Sequence, residues 1–189
     1  MDFAAVQLLI LDVDGVLTDG RLFPSPGGGA SAIPELDAKV FHVQDGCAIR
    51  LWLARGGKAA FLSGRKSAWT TARAKELGVA LCRVGMADKL AAYDQIRKEC
   101  GCEDGQVAYV GDDLPDLRPM ARCGFPVAVA DAVPAVKRAA CYVTRRPGGE
   151  GAVAEIVEYL LRRRRCWSSR MLGELSTPWL AQTPLLALL

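Results

Sequence analysis

Four unbroken apolar residues, Leu8-Leu9-Ile10-Leu11, run straight into Asp12-Val13-Asp14-Gly15. A strand without polar alternation is covered on both faces, as in a parallel α/β sheet. The same signature returns along the chain. Residues 58–64 (KAAFLSG), 79–85 (VALCRVG), 106–113 (QVAYVGDD), 125–130 (FPVAVA) and 141–144 (CYVT) read as further strands. Between them the apolar positions fall at helical spacing. This predicts helices over 47–56, 67–78, 89–101, 114–124, 132–140 and 151–164, several of them closed by glycine. Residues 22–35 (LFPSPGGGASAIPE) carry the Gly, Pro and Ser of a loop or hairpin tip, and 38–43 (AKVFHV) reads as the returning strand. Strands alternating with helices predict an α/β fold, a doubly wound, mostly parallel sheet.

In such a sheet, ligands bind beyond the carboxyl ends of the strands. That rule gathers the polar residues. Asp12 and Asp14 follow the first strand, Ser63 and Gly64 the second, and Asp112 and Asp113 the fourth, while Lys89 opens the helix after the third. If the first strand stays extended, Asp12 and Asp14 point to one side and repel unless a cation offsets them. The alternative is a turn at Gly15 that separates them, with aspartates bonding the local backbone.

Composition narrows the class. A chain of 189 residues suits one domain, with 1–161 as its body and 162–189 as a tail. A net charge of +3 is too small to argue for nucleic acid, and the Arg162–Arg165 run reads as a solvated face. Seven cysteines with no C-x-x-C fit free thiols in a reducing cytoplasm, and Cys100-x-Cys102 is too close for the usual zinc pair. No signal peptide is expected. The apolar C-terminal stretch holds Glu174 and two prolines, too broken to span a membrane.

The set Asp12, Asp14, Ser63, Lys89, Asp112, Asp113, in this order and each at a strand end, resembles the haloacid-dehalogenase superfamily of phosphotransferases. DVDGVLTD is similar to its first motif, LSGR to its second, Lys89 to its third and GDDLPD to its fourth. The resemblance covers about residues 7–161 and implies a Rossmann-like core and a Mg²⁺-dependent phosphomonoesterase. It implies that Asp12 attacks phosphorus and Asp14 shuttles the proton. On the same resemblance, Asp12, Asp112 and the Asp14 carbonyl would hold Mg²⁺. It further implies that Ser63, Gly64 and Lys89 bind phosphate and that Asp113 supports the metal or orients Lys89. A dianionic ester explains these residue types, because an anionic nucleophile reaches it only when cations neutralise the repulsion.

Only 48 residues separate Asp14 from Ser63 and 25 separate Ser63 from Lys89, so neither gap holds a folded cap. What remains is a small β-hairpin flap over 17–45. The stretches VQDGCAIRLW, SGRKS and VAVADAVPAVKRAACYVTRRPGGEGAVAEIVEYLL resemble the capless branch that hydrolyses sugar-acid phosphates in lipopolysaccharide biosynthesis. The resemblance implies 3-deoxy-D-manno-octulosonate 8-phosphate as substrate, a homotetramer whose neighbouring subunits cover each site, and Arg65 and Arg73 as readers of the sugar carboxylate. Alternatives are a nine-carbon sialic-type 9-phosphate, from which Arg65 in SGRKS argues away, a phosphomutase, for which a cap is wanting, and a catalytically idle oligomerisation module, which needs none of the four motifs. Two departures stand out: the Pro/Gly-rich hairpin, and Gln44 where the branch usually has Arg. His42 reads as a packed residue.

Overall fold

The computed structural model describes residues 3–22 and 38–167. Six strands form one sheet: β1 (Leu8–Leu11), β2 (Lys58–Leu62), β3 (Leu81–Arg83), β4 (Val107–Gly111), β5 (Phe125–Ala128) and β6 (Tyr142–Val143). Their order is β3-β2-β1-β4-β5-β6, and every pairing is parallel. All four residues of β1 are fully buried, as the unbroken apolar run requires. Six helices cover the sheet: α1 (Val43–Ala54), α2 (Ala68–Leu77), α3 (Lys89–Glu99), α4 (Leu117–Met120), α5 (Pro134–Ala139) and α6 (Ala152–Arg163). α1 packs on α2 and α6, whereas α3 packs on α4 and α4 on α5, which gives two helical layers around the sheet.

This strand order has a consequence for function. The chain steps from β1 to β2 to β3, then returns to place β4 on the other side of β1. The crevice between the carboxyl ends of β1 and β4 is therefore the topological switch point, where doubly wound sheets bind ligands. α6 buries Ala152, Val153, Ile156, Val157, Leu160 and Leu161, a stripe at helical spacing. Its start is tied to α1 by the buried Asp45, whose carboxylate accepts the Ala154 N–H at 2.8 Å.

The strand expected over 38–43 is a correction. Residues 38–42 carry no strand, and Val43 opens α1. Val40 and Val43 are largely exposed while Phe41 packs on the core, so the alternation has no sheet to lean on. The rest of the expected hairpin, 23–37, and most of the expected tail, 168–189, lie outside the described residues. The boundary drawn at 161 falls inside α6, which runs to Arg163, and Trp167 still packs against the core.

Candidate active site

Gly15 explains the opening motif. Its φ is +90°, and a Cβ there would lie 2.1 Å from the Asp112 carboxylate. The backbone turns at this glycine, and the Leu17 and Thr18 N–H groups close back on the Val13 carbonyl. The turn gives the two aspartates different partners. Asp12 is buried and faces the lysine of α3, with its carboxylate 2.9 Å from Lys89 Nζ. Asp14 has other partners. One oxygen takes the Ser63 hydroxyl at 3.2 Å, and the other is paired with the ammonium of Lys39. The turn at Gly15 is present, and each aspartate has a lysine of its own.

Lys89 is delivered by a cap. Asp88 accepts the Leu90 and Ala91 N–H groups, so α3 starts at Lys89 and projects it to the crevice. There the ammonium also meets Asp116 at 2.7 Å. Asp116 is fully buried and saturated. One oxygen takes Lys89 and the Tyr109 hydroxyl at 2.7 Å, and the other accepts the N–H groups of Asp112 and Asp113 at 3.1 and 3.3 Å. The segment GDDLPD folds as a reciprocal capping box, with Asp113 and Asp116 as its two ends. Gly111 is needed because a Cβ there would meet the Asp116 side chain at 2.5 Å.

Carboxylate oxygens of Asp12, Asp112 and Asp116 lie within 4.8 Å of one another. Three carboxylates around one lysine leave surplus negative charge. Burial first, then the charge of Asp116, pushes Asp12 well above the ordinary carboxylate range, against the pull of Lys89. Burial and Asp116 likewise push Asp112 up to about 6. Burial works to lower Lys89, but Asp12 and Asp116 outweigh it, and its pKa is raised. One oxygen of Asp112 is buried without a hydrogen-bond partner. A hard divalent cation fits this cluster, because it takes oxygen ligands and would satisfy both the orphaned oxygen and the excess charge.

Sequence reasoning placed Asp12, Asp112 and Lys89 together, and they meet here. It gave Asp113 either the support of the metal or the orienting of Lys89, and the second of these falls to Asp116. Asp113 is exposed and caps the Leu114 N–H, while Asp116 orients Lys89. The third aspartate of GDDLPD carried the signal, four residues from Asp112 and so one helical turn away. Lys39 had none, since it lies 25 residues from Asp14 beyond a loop-rich stretch. Ser63 is buried at the end of β2 and accepts the Arg65 N–H at 3.1 Å, while Gly64 and Arg65 are exposed beside it. Arg73 already has partners. Its guanidinium binds both oxygens of Glu76 at 2.8 Å and sits over Phe41, next to Gly46.

The described residues 84–157 match the family model of haloacid dehalogenase-like hydrolases. The 3-deoxy-D-manno-octulosonate 8-phosphate phosphatase KdsC of Yersinia pestis is 40% identical over 158 residues, covering 84% of this chain and 81% of the relative. The chain belongs to this phosphatase family of the haloacid dehalogenase-like hydrolases. The Escherichia coli K12 relative of the same name is also 40% identical, over 82% of this chain and 79% of its own. The crystal structure of the Yersinia enzyme superposes with a TM-score of 0.81 at 38% identity, covering 91% of this chain and 87% of that one. A Moraxella catarrhalis structure, described as a complex with magnesium ion, phosphate ion and a KDO molecule, gives 0.81 at 33% identity, covering 93% and 95%. The phosphatase fold is therefore common to all of them. Among the described residues no helix is long and apolar enough to cross a membrane.

Proposed function

We propose that this phosphatase hydrolyses 3-deoxy-D-manno-octulosonate 8-phosphate to the free sugar acid and inorganic phosphate, with Mg²⁺ as cofactor. The observation that carries the chemistry is the surplus of buried carboxylate at the β1–β4 crevice, with one orphaned oxygen on Asp112. The substrate rests on the relatives and on arginines near the site. Asp12 and Asp112, with the backbone carbonyl of Asp14, are the groups that would hold the ion. Once bound, Mg²⁺ supplies charge neutralisation at the phosphate oxygens.

The chain's own residues then divide the work. An oxygen of Asp12 forms a bond to phosphorus as the ester P–O bond breaks. The leaving alkoxide takes its proton from the Asp14 carboxyl, and the product is an aspartyl-phosphate. Asp14 next accepts a proton from water as that water bonds to phosphorus. The bond to Asp12 breaks and inorganic phosphate leaves, which restores both carboxyls. Ser63 and the Gly64 amide hold phosphoryl oxygens, and Lys89, oriented by Asp116, holds positive charge beside Asp12.

Arg65, exposed after β2, and Arg73 on α2 are the candidates for the sugar carboxylate. Arg73 would have to share itself with Glu76, so Arg65 is the freer of the two. We further propose a cytoplasmic homotetramer whose neighbouring subunits cover each site. The free state of all seven cysteines supports a reducing compartment.

The test is phosphate release from the eight-carbon acid 8-phosphate, a nine-carbon sialic-type 9-phosphate and p-nitrophenyl phosphate, each with Mg²⁺ and with chelator. The expected order is eight-carbon first, and turnover is lost on chelation. A preference for the nine-carbon ester, or no preference over the neutral ester, overturns the substrate. Arg65→Ala should lower kcat/KM on the acidic substrate by about ten- to a hundredfold, the loss of one hydrogen-bonded charge pair.

A further inference from the structure

The best-buried cation beside the chemistry has no place in the mechanism above. Lys39 lies on the irregular segment before α1, and its side chain is 4% exposed. Lysines usually run their stem along the surface and keep the ammonium in water. Here the ammonium is withdrawn onto one oxygen of Asp14, whose side chain is 20% exposed. The other oxygen takes Ser63 Oγ. Both oxygens of this carboxyl are thus held, from two chain segments.

We infer that Lys39 is a positioning residue: it fixes the carboxyl of Asp14 at the angle from which the leaving oxygen is protonated. The inference rests on the proton-shuttle reading of Asp14 given above. An aspartate carboxyl turns readily about its last bond, and a displaced proton donor loses much of its effect. Ser63 cannot hold the group alone, because its hydroxyl has a second acceptor at 3.2 Å, the Arg65 carbonyl. The rival role is mechanical, with Lys39 as an anchor for residues 38–42. The burial itself favours the first role. A charged pair taken out of water is a costly anchor, since an apolar side chain of the same length would hold the segment without desolvating an ammonium.

The two roles separate on leaving groups. A p-nitrophenolate departs without a proton, whereas a sugar or alkyl alkoxide requires one. We would measure kcat/KM in Mg²⁺ at one fixed pH across a series from p-nitrophenyl phosphate to alkyl phosphates. The proteins are wild type, Lys39→Met, Lys39→Arg and Asp14→Asn. For Lys39→Met the loss on alkyl esters should exceed the loss on the nitrophenyl ester by about ten- to a hundredfold, part of the range for general acid catalysis. Lys39→Arg should recover part of it, and the trend in Asp14→Asn should be steeper still. A uniform loss across the series, or no loss, overturns the inference and leaves Lys39 an anchor. A trend in Asp14→Asn without one in Lys39→Met overturns the inference alone, whereas a flat series in Asp14→Asn overturns the proton-shuttle reading beneath it. If Lys39→Met does not fold, Lys39→Gln is read in the same way.

Discussion

Two charged clusters lie at opposite ends of β4, and Asp104 in one moves opposite to Asp12 and Asp112 in the other. At its carboxyl end, the buried Asp12 and Asp116 hold Lys89, with Asp112 beside them. Before its amino end, Asp94, Glu103 and Asp104 face Arg97 and Arg122 at the surface. Two tyrosines, their rings 6.4 Å apart in the core, serve one cluster each: Tyr109 donates to Asp116 and Tyr93 to Asp104. Burial works to raise Asp104, but hydrogen bonds from Tyr93 and Arg122 and the arginine charges outweigh it, and its pKa is lowered. Asp12 and Asp112 are raised. A nearly balanced, wet cluster helps the fold a little. A surplus of buried carboxylate opposes the fold, and its presence at the switch point is accounted for by the ion and ester it receives.

The sharpest way to break the comparison is to neutralise one surplus charge. Asp12→Asn should abolish phosphate release, because an amide does not form the acyl-phosphate. Without metal its melting temperature should match or exceed that of wild type, since a buried charge has been removed. Loss of fold together with loss of activity would mean that the cluster is structural, like its counterpart. Asp116→Asn comes next. It keeps the shape but weakens the hold on Lys89 and on the N–H groups of Asp112 and Asp113, and kcat should fall by about a hundredfold. Calorimetry should show a cost of about 1–3 kcal/mol for the altered buried hydrogen bonds.

The same contrast sets how much the chain disclosed in advance. The apolar runs of β1, β2 and β4 located the sheet, and their polar ends located the crevice, because both follow from burial and period alone. Asp116 was hidden because its role depends on a capping box that turns it inward, while Asp113 beside it turns outward. Lys39 was hidden because no local pattern links it to Asp14. The strand expected at 38–43 failed for the reverse reason: its alternation is local, and pairing is not. Arg73 was read as a carboxylate ligand, and the helix gives it Glu76, three residues on, as a standing partner.

Acidity sharpens the comparison at a smaller scale. Asp12 and Asp112 have folded pKa values raised above the unfolded carboxylate value, Asp112 to about 6. In metal-free protein the folded state therefore takes up protons first as pH falls from 7. The penalty of Asp112 is relieved as pH falls through about 6, and stability rises there. Asp104 is lowered, so its contribution is lost only below about pH 4. Chemical denaturation with chelator should show stability increasing from pH 7 to 5. Saturating Mg²⁺ should remove that gain, because the ion stabilises the deprotonated cluster. A fall over this range without metal would show that the surplus charge is not felt.

The smallest effect belongs to the balanced cluster. Arg122 is nearly half exposed and meets Asp104 at 3.1 Å and Asp94 at 3.7 Å. Its replacement by Ala removes two contacts that water and Arg97 largely replace, so the cost should be at most about 1 kcal/mol. For a chain of this size that is a shift of about 2–4 °C in melting temperature. The shift should shrink further in about 1 M salt, where exposed charges are screened within a few ångströms. Steady-state kinetics and the Mg²⁺ requirement should stay as in wild type, since Asp104 keeps Tyr93 and Arg97. A changed Mg²⁺ requirement in Arg122→Ala would mean that the edge-to-face pair Tyr93 and Tyr109 carries a disturbance from one end of β4 to the other. The two clusters would then be one electrostatic unit rather than a structural and a catalytic one.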